Sequence, residues 1–269
     1  MALRAYSERL AGKAYGGKAG GGAAGNVART PAGNLAGGRC GDEKGRSLLE
    51  ALVAFSTSLV PGLLWVWHFY RQDREREPVR LVLWAFFAGM AAVVPAALVE
   101  LPFRDIFGAS PDPGRLVVAA AVVGMAEEGA KLLAVYLTAF RRPEFDQVED
   151  GIVYGVAGSL GFAALENLLY ATAFGLSVAP VRAVVTSLAH ASFGGIAGLY
   201  LGLAKARPEA GFALAARGFA LASGLHALYD FLLLGRVVHP LLAVGVVILA
   251  YRFVVMKLRG LGEGGASLS

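Results

Sequence analysis

Glu127, Glu128 and Lys131 sit in the middle of an apolar stretch, LVVAAAVVGMAEEGAKLLAVYLTAF (Leu116–Phe140), that is long enough to cross a bilayer. A carboxylate at mid-membrane costs roughly 2.5–3.5 kcal/mol on insertion scales, so two adjacent ones call for a purpose. On a helix Lys131 can neutralise either, being four residues from Glu127 and three from Glu128. That leaves one carboxylate facing something polar inside a bundle. Other apolar stretches carry Glu166 (GFAALENLLY), His190 (SLAHASFGG), and His226 with Asp230 (GLHALYDFL).

Two histidines with one or more carboxylates match the ligand set of a catalytic zinc with an open position. Such an ion supplies a nucleophile near neutral pH and polarises a carbonyl. A further glutamate acting as general base and acid completes a peptide-hydrolysing set. Glu128 or Glu127 fills that role while the other is a ligand or the partner of Lys131. Asp230, one turn from His226, is placed to accept the ring N–H and fix the tautomer, or else to meet metal or substrate backbone. There is no HExxH, so ligands must come from separate helices. Serine chemistry is disfavoured: Ser159 and Ser192 lack a nucleophile-elbow context and a dyad partner. An aspartyl pair is also disfavoured, because Asp230 stands alone among the buried aspartates.

The elements that must position these groups are membrane helices. The chain has 269 residues, 56% hydrophobic and 17% charged, against about a quarter charged for a soluble domain. Its mean hydropathy is +0.57. The fold class is therefore all-α, a polytopic membrane helix bundle. About seven spans are expected: Leu48–Tyr70, Val79–Leu101, Leu116–Phe140, Gly151–Phe174, Val181–Ala204, Phe212–Leu234 and Val237–Val255. Residues 1–46, rich in Gly and Ala with scattered basic residues, read as a disordered tail or a miscalled start. Residues 47–260 form the membrane-embedded domain and 261–269 a short disordered tail.

The net charge of +5 does not point to nucleic acid, because the basic residues fall in the tail and in short loops. Arg71, Arg74, Arg76, Arg80, Arg141, Arg142, Lys205 and Arg207 mark one set of loops, with Arg252, Lys257 and Arg259 at the chain's end. The alternate loops carry Arg104, Arg115, Arg182 and Arg236. The positive-inside rule puts the richer set in the cytoplasm. Cys40, the sole cysteine, excludes an intrachain disulfide and a multi-thiolate metal site. Gly151, Gly155 and Gly158 on one span, and Gly194, Gly198 and Gly202 on the next, are spaced for close helix packing in lipid.

Counted from the non-cytoplasmic end, Glu127 and Glu128 lie about twelve residues in, and Glu166, His190 and His226 about eight or nine. At 1.5 Å per residue all fall roughly 12–19 Å from one membrane face. Four successive helices thus place acid and imidazole groups in a single layer. His68 and His239 lie at span ends and are left out of the site.

These residues resemble the PrsW family of bacterial intramembrane metalloproteases. EEGAK (Glu127–Lys131) is similar to its EExxK motif, FAALE (Phe162–Glu166) to its FxxxE, and HALYD (His226–Asp230) to its HxxxD; His190 sits where the family carries its other histidine. The related CAAX prenyl endopeptidases carry EExxxR and FxxxH, whereas this chain has Lys131 and Glu166. The resemblance runs from about Leu48 to Gly260. It implies a multi-pass protein of the bacterial plasma membrane that cleaves a membrane-anchored protein near its external boundary, such as an anti-sigma factor. It also implies that Glu127 and Glu128 activate water, that Lys131 balances their charge, and that Glu166, His190 and His226 bind a divalent metal, expected to be Zn2+. Asp230 would then orient His226 or meet substrate. Within the superfamily, glutamate-based hydrolysis with histidines as oxyanion stabilisers is an alternative. A proton-coupled transporter or ion pathway is the competing class, since buried carboxylates and histidines also build relays.

Overall fold

The computed structural model of the chain describes residues 36–73, 75–103, 112–234, 239 and 241–264; the side chains described are those of 48–73, 75–103, 112–233, 239 and 241–261. Among the described residues seven long helices follow one another: α1 (Ala36–Tyr70), α2 (Val79–Glu100), α3 (Pro113–Val135), α4 (Val148–Phe174), α5 (Ser187–Ala206), α6 (Gly211–Leu234) and α7 (Leu241–Gly264). There is no strand among the described residues, as a chain that must satisfy its backbone inside lipid requires. Residues 1–35 and 265–269 of the expected tails lie outside the described residues, while 36–46 are the start of α1.

Six helical segments are long and apolar enough to cross a membrane: Leu48–Tyr70, Val79–Phe103, Val148–Phe174, Leu176–Ala206, Pro208–Leu233 and Leu241–Leu261. The seventh helix, α3, misses that description because Glu127, Glu128 and Lys131 interrupt its apolar length. It starts where the sequence allows: Asp112 accepts from the backbone N–H of Gly114 (3.0 Å) and Arg115 (3.1 Å), with Pro113 in the first turn. The last span runs from Leu241, after Pro240, and ends later than the hydropathy pattern predicts.

Helices α4 and α5 form the centre of the bundle. Their apolar stretches are 78% buried, against 22–39% for the other spans. The glycines make this possible. A Cβ on Gly151 would stand 2.1 Å from the carbonyl oxygen of Gly198, and one on Gly198 1.9 Å from that of Gly151. The two backbones touch with no side chain between them, which gains dispersion contact that lipid cannot supply. Gly158, by contrast, faces Val135 and Ala85 on the other side of α4. Gly198→Ala must push α5 off α4, an overpacking cost of about 1–3 kcal/mol. The thermal midpoint of the detergent-solubilised protein should fall accordingly, while Gly245→Ala, whose Cβ meets open space, should leave it unchanged.

The basic end of the bundle is tied by polar side chains. Tyr154 donates to Glu77 Oε2 at 2.5 Å, Tyr70 donates to the Glu77 carbonyl at 3.0 Å, and Lys205 Nζ donates to the carbonyls of Phe140 and Arg142 at 2.8 and 3.0 Å. Burial pushes the Glu77 carboxyl above its usual range. From Tyr154 to Glu166 is twelve residues of α4, about 18 Å at 1.5 Å per residue. This clasp and the layer of Glu and His side chains are therefore at different depths.

Candidate active site

Four helices meet in that layer. From α3, Lys131 Nζ reaches Glu127 Oε2 at 3.0 Å and Glu128 Oε1 at 2.8 Å, and it lies 2.8 Å from His190 Nδ1 on α5. The ammonium also sits 4.3 Å from the ring centroid of Phe162 on α4. One turn further along α4, Glu166 Oε2 is 3.1 Å from His190 Nε2. From α6, His226 Nδ1 is 2.8 Å from Glu128 Oε1, and His226 Nε2 is 3.7 Å from both Glu127 Oε2 and Asp230 Oδ2. The two imidazoles stand edge to face, centroids 5.3 Å apart. All seven residues singled out in the sequence thus join one connected cluster. Lys131, Glu127, Glu128, His190 and His226 are buried.

Donor and acceptor chemistry assigns the rings. An ionised carboxylate only accepts and an ammonium only donates. In a neutral His190, Nε2 therefore carries the hydrogen toward Glu166, and Nδ1 keeps the lone pair that meets Lys131. In a neutral His226, Nδ1 carries the hydrogen toward Glu128, and Nε2 keeps its lone pair. Both acceptor nitrogens lie near Glu127: its Oε2 is 3.9 Å from His190 Nδ1, whose lone pair accepts from Lys131, and 3.7 Å from His226 Nε2.

Glu127 and Glu128 have separate surroundings. Glu127 lines a cavity of about 130 Å3 together with His190, His226, Asp230, Glu166 and Arg182; Tyr170 and Tyr229 complete its wall. Glu128 is 1% exposed and borders a separate void of about 10 Å3, beside Ser159. Among the described residues, the group able to hold a metal ion is Glu127, His190 and His226, each offering one ligand atom within 4.8 Å of the others. Two nitrogens and a carboxylate oxygen suit a divalent ion with an open position. A cation already rests on two of these three ligands, since Lys131 is shared by Glu127 and His190. Glu166 stands outside this trio, held through His190 and Arg182.

Arg182 escaped the sequence reading, which counted it as a loop charge for topology. It opens a π-helical stretch, Arg182–Thr186, leading into α5. Arg182 Nη2 donates to Glu166 Oε2 at 2.8 Å and Nε donates to Asn167 Oδ1 at 2.9 Å, with the guanidinium 3.6 Å from the Tyr170 ring centroid. The available signal was a lone arginine flanked by apolar residues a few positions inside a span. Ser192 donates to the Leu188 carbonyl at 2.7 Å along its own helix, and His68 pairs with Tyr251 at 3.0 Å. Neither joins the cluster.

Known proteins resemble this chain over most of its described length. A family described as PrsW family intramembrane metalloprotease matches residues 77–256. Protease PrsW of Bacillus subtilis is 35% identical over 182 residues, covering 66% of this chain and 81% of that protein. Protease PrsW of Geobacillus kaustophilus is 36% identical over 189 residues, covering 67% and 80%. That of Clostridioides difficile is 30% identical over 155 residues, covering 55% and 64%. No solved structure matches the chain. With six apolar spans the protein is multi-pass, and in bacteria that membrane is the plasma membrane. A buried acid–imidazole layer, the EEGAK, FAALE and HALYD motifs that build it, and a family match across both place this chain in the PrsW family of intramembrane metalloproteases.

Proposed function

We propose that the protein hydrolyses a peptide bond of a membrane-anchored substrate near the non-cytoplasmic side, with Glu127, His190 and His226 holding a divalent ion, Zn2+ by the nature of the ligands. The observation that carries this reading is the clustering of one ligand atom each from Glu127, His190 and His226 within 4.8 Å of one another at the wall of the cavity. This ligand set differs from the expected one in exchanging Glu166 for Glu127. Glu128 and Glu166 become the carboxylates that orient the two imidazoles. When bound, the ion would polarise the scissile carbonyl and make water nucleophilic near neutral pH.

The remaining proton chemistry falls to Asp230. It lines the cavity, and its Oδ2 is 3.7 Å from His226 Nε2, too long for a direct hydrogen bond. Asp230 takes the proton of the attacking water and returns it to the leaving nitrogen. Lys131 donates to Glu128 and Glu127 and fixes their positions. An anti-sigma factor is a substrate of the right kind, a single-pass protein with an external domain.

The test is cleavage of a single-pass reporter by the full chain in nanodiscs, with chelation and metal readdition. Activity should vanish on chelation and return with Zn2+, and Asp230→Asn should lower kcat about 10²–10⁴-fold. Full activity after exhaustive chelation would overturn the metal. Comparing membrane proteomes of wild-type and Glu127→Gln strains identifies the substrate as the single-pass protein that accumulates uncut.

A further inference from the structure

Arg182 is a part-buried charge, its side chain 15% exposed, that the proposed chemistry leaves unused, and it is tied to the site by three separate contacts. One N–H edge of its guanidinium meets Glu166 Oε2 (2.8 Å) and Nε meets Asn167 Oδ1 (2.9 Å), so the planar fork grips two consecutive residues of α4. The Tyr170 ring, one turn along the same helix, closes the guanidinium face at 3.6 Å. The loop is completed from α5: Asn167 Nδ2 donates to Ser187 Oγ at 3.0 Å, and Ser187 Oγ donates to the Arg182 carbonyl at 3.2 Å. The π-helical turn at Arg182–Thr186 is a widened turn of the kind that recurs at functional sites. Glu166 Oε2 is the same oxygen that meets His190 Nε2.

We infer that Arg182 is a positioning residue of the proteolytic site: it anchors Glu166, and through Glu166 keeps the hydrogen of His190 on Nε2 and leaves Nδ1, beside Lys131 and Glu127, as the acceptor. This rests on the reading of His190 as a ligand and extends that ligand set outward by two layers, from imidazole to carboxylate to guanidinium. Without the arginine, Glu166 swings toward the open cavity it also lines, and the His190 ring is free to turn or to exchange tautomers. Lysine is a poor substitute, since a point charge cannot hold Glu166 and Asn167 together while stacking on a ring.

The experiment uses the full chain in nanodiscs, with kcat and KM for a single-pass reporter and Zn2+ affinity by chelator competition. Arg182→Lys, which keeps the charge and the fold, should lower kcat about tenfold with KM within threefold. Arg182→Gln and Glu166→Gln should each lower kcat and Zn2+ affinity about 10–100-fold, the range for outer-layer partners of metal-bound histidines. The double variant should be no worse than the poorer single one, because both break the same link. Wild-type kcat in Arg182→Lys, multiplying losses in the double variant, or a rise in KM alone would each overturn the inference, the last by making Arg182 a substrate contact. If wild-type protein binds no Zn2+ while the losses in kcat still fail to multiply, the metal reading falls and the positioning role stands.

Discussion

Lys131→Met should destabilise the protein by about 3–5 kcal/mol, the cost of removing one partner from a buried ion pair. Methionine nearly matches lysine in length and fills the apolar part of the site, including the contact with Phe162, so little of the loss comes from a cavity. What is lost is charge. Lys131 is 2% exposed and carries the hydrogen bonds to Glu127 and Glu128. Without it two adjacent carboxylates stay in a low-dielectric layer with imidazoles as their remaining partners. The measurement is the thermal midpoint of the detergent-solubilised protein, followed through intrinsic tryptophan fluorescence. Adding Glu128→Gln to Lys131→Met removes one of the stranded charges and should restore most of the midpoint without restoring cleavage. A single Lys131→Met variant as stable as wild type would mean that this ammonium is not what holds the carboxyl pair inside the bundle.

The same residues mark how far the sequence carries. Depth along each span follows from counting, and counting is enough to put Glu127, Glu166, His190 and His226 in one layer, because helix rise is constant. Rotation about each axis is another matter. Glu127 and Glu128 differ by about 100° on the helix surface, and nothing in EEGAK says which of them faces the cavity. That is decided by how α3 leans on α4 and α6, through contacts such as Gly124 against the Ser223 carbonyl, where a Cβ would stand at 2.6 Å. Gly151 and Gly198 were legible as packing residues, since small side chains four apart have few other uses in lipid, but Gly158 belongs to a different interface on the same helix. Arg182 was misplaced for a physical reason as well. A basic residue near the end of an apolar run reads as an interfacial anchor, and only the approach of Glu166, Asn167 and Tyr170 from α4 turns it inward.

Rotation also separates the two glutamates by function, and isosteric amides expose the difference. Glu128 Oε1 accepts from Lys131 Nζ and His226 Nδ1, both at 2.8 Å. A glutamine there can keep its carbonyl oxygen on those two donors and turn its NH2 toward Ser159, whose hydroxyl borders the same small void. The His226 tautomer survives, and Glu128→Gln should lower kcat only about 10–100-fold, as loss of an orienting carboxylate does. Glu127→Gln has no such refuge. Its Oε2 faces the lone pairs of both imidazoles and the Lys131 ammonium, so a neutral amide at the cavity wall removes the anionic ligand of the proposed trio. Cleavage of the reporter in nanodiscs should fall by at least about 10³-fold, near the upper part of the range for loss of a group that acts directly on the reaction. Bound Zn2+, read by chelator competition, should fall with it. The reverse order, an inert Glu128→Gln and a working Glu127→Gln, would make Glu128 the carboxylate that the chemistry needs. Water would then have to reach Glu128 through the void beside Ser159, and closing that void with Ser159→Val should stop cleavage as well.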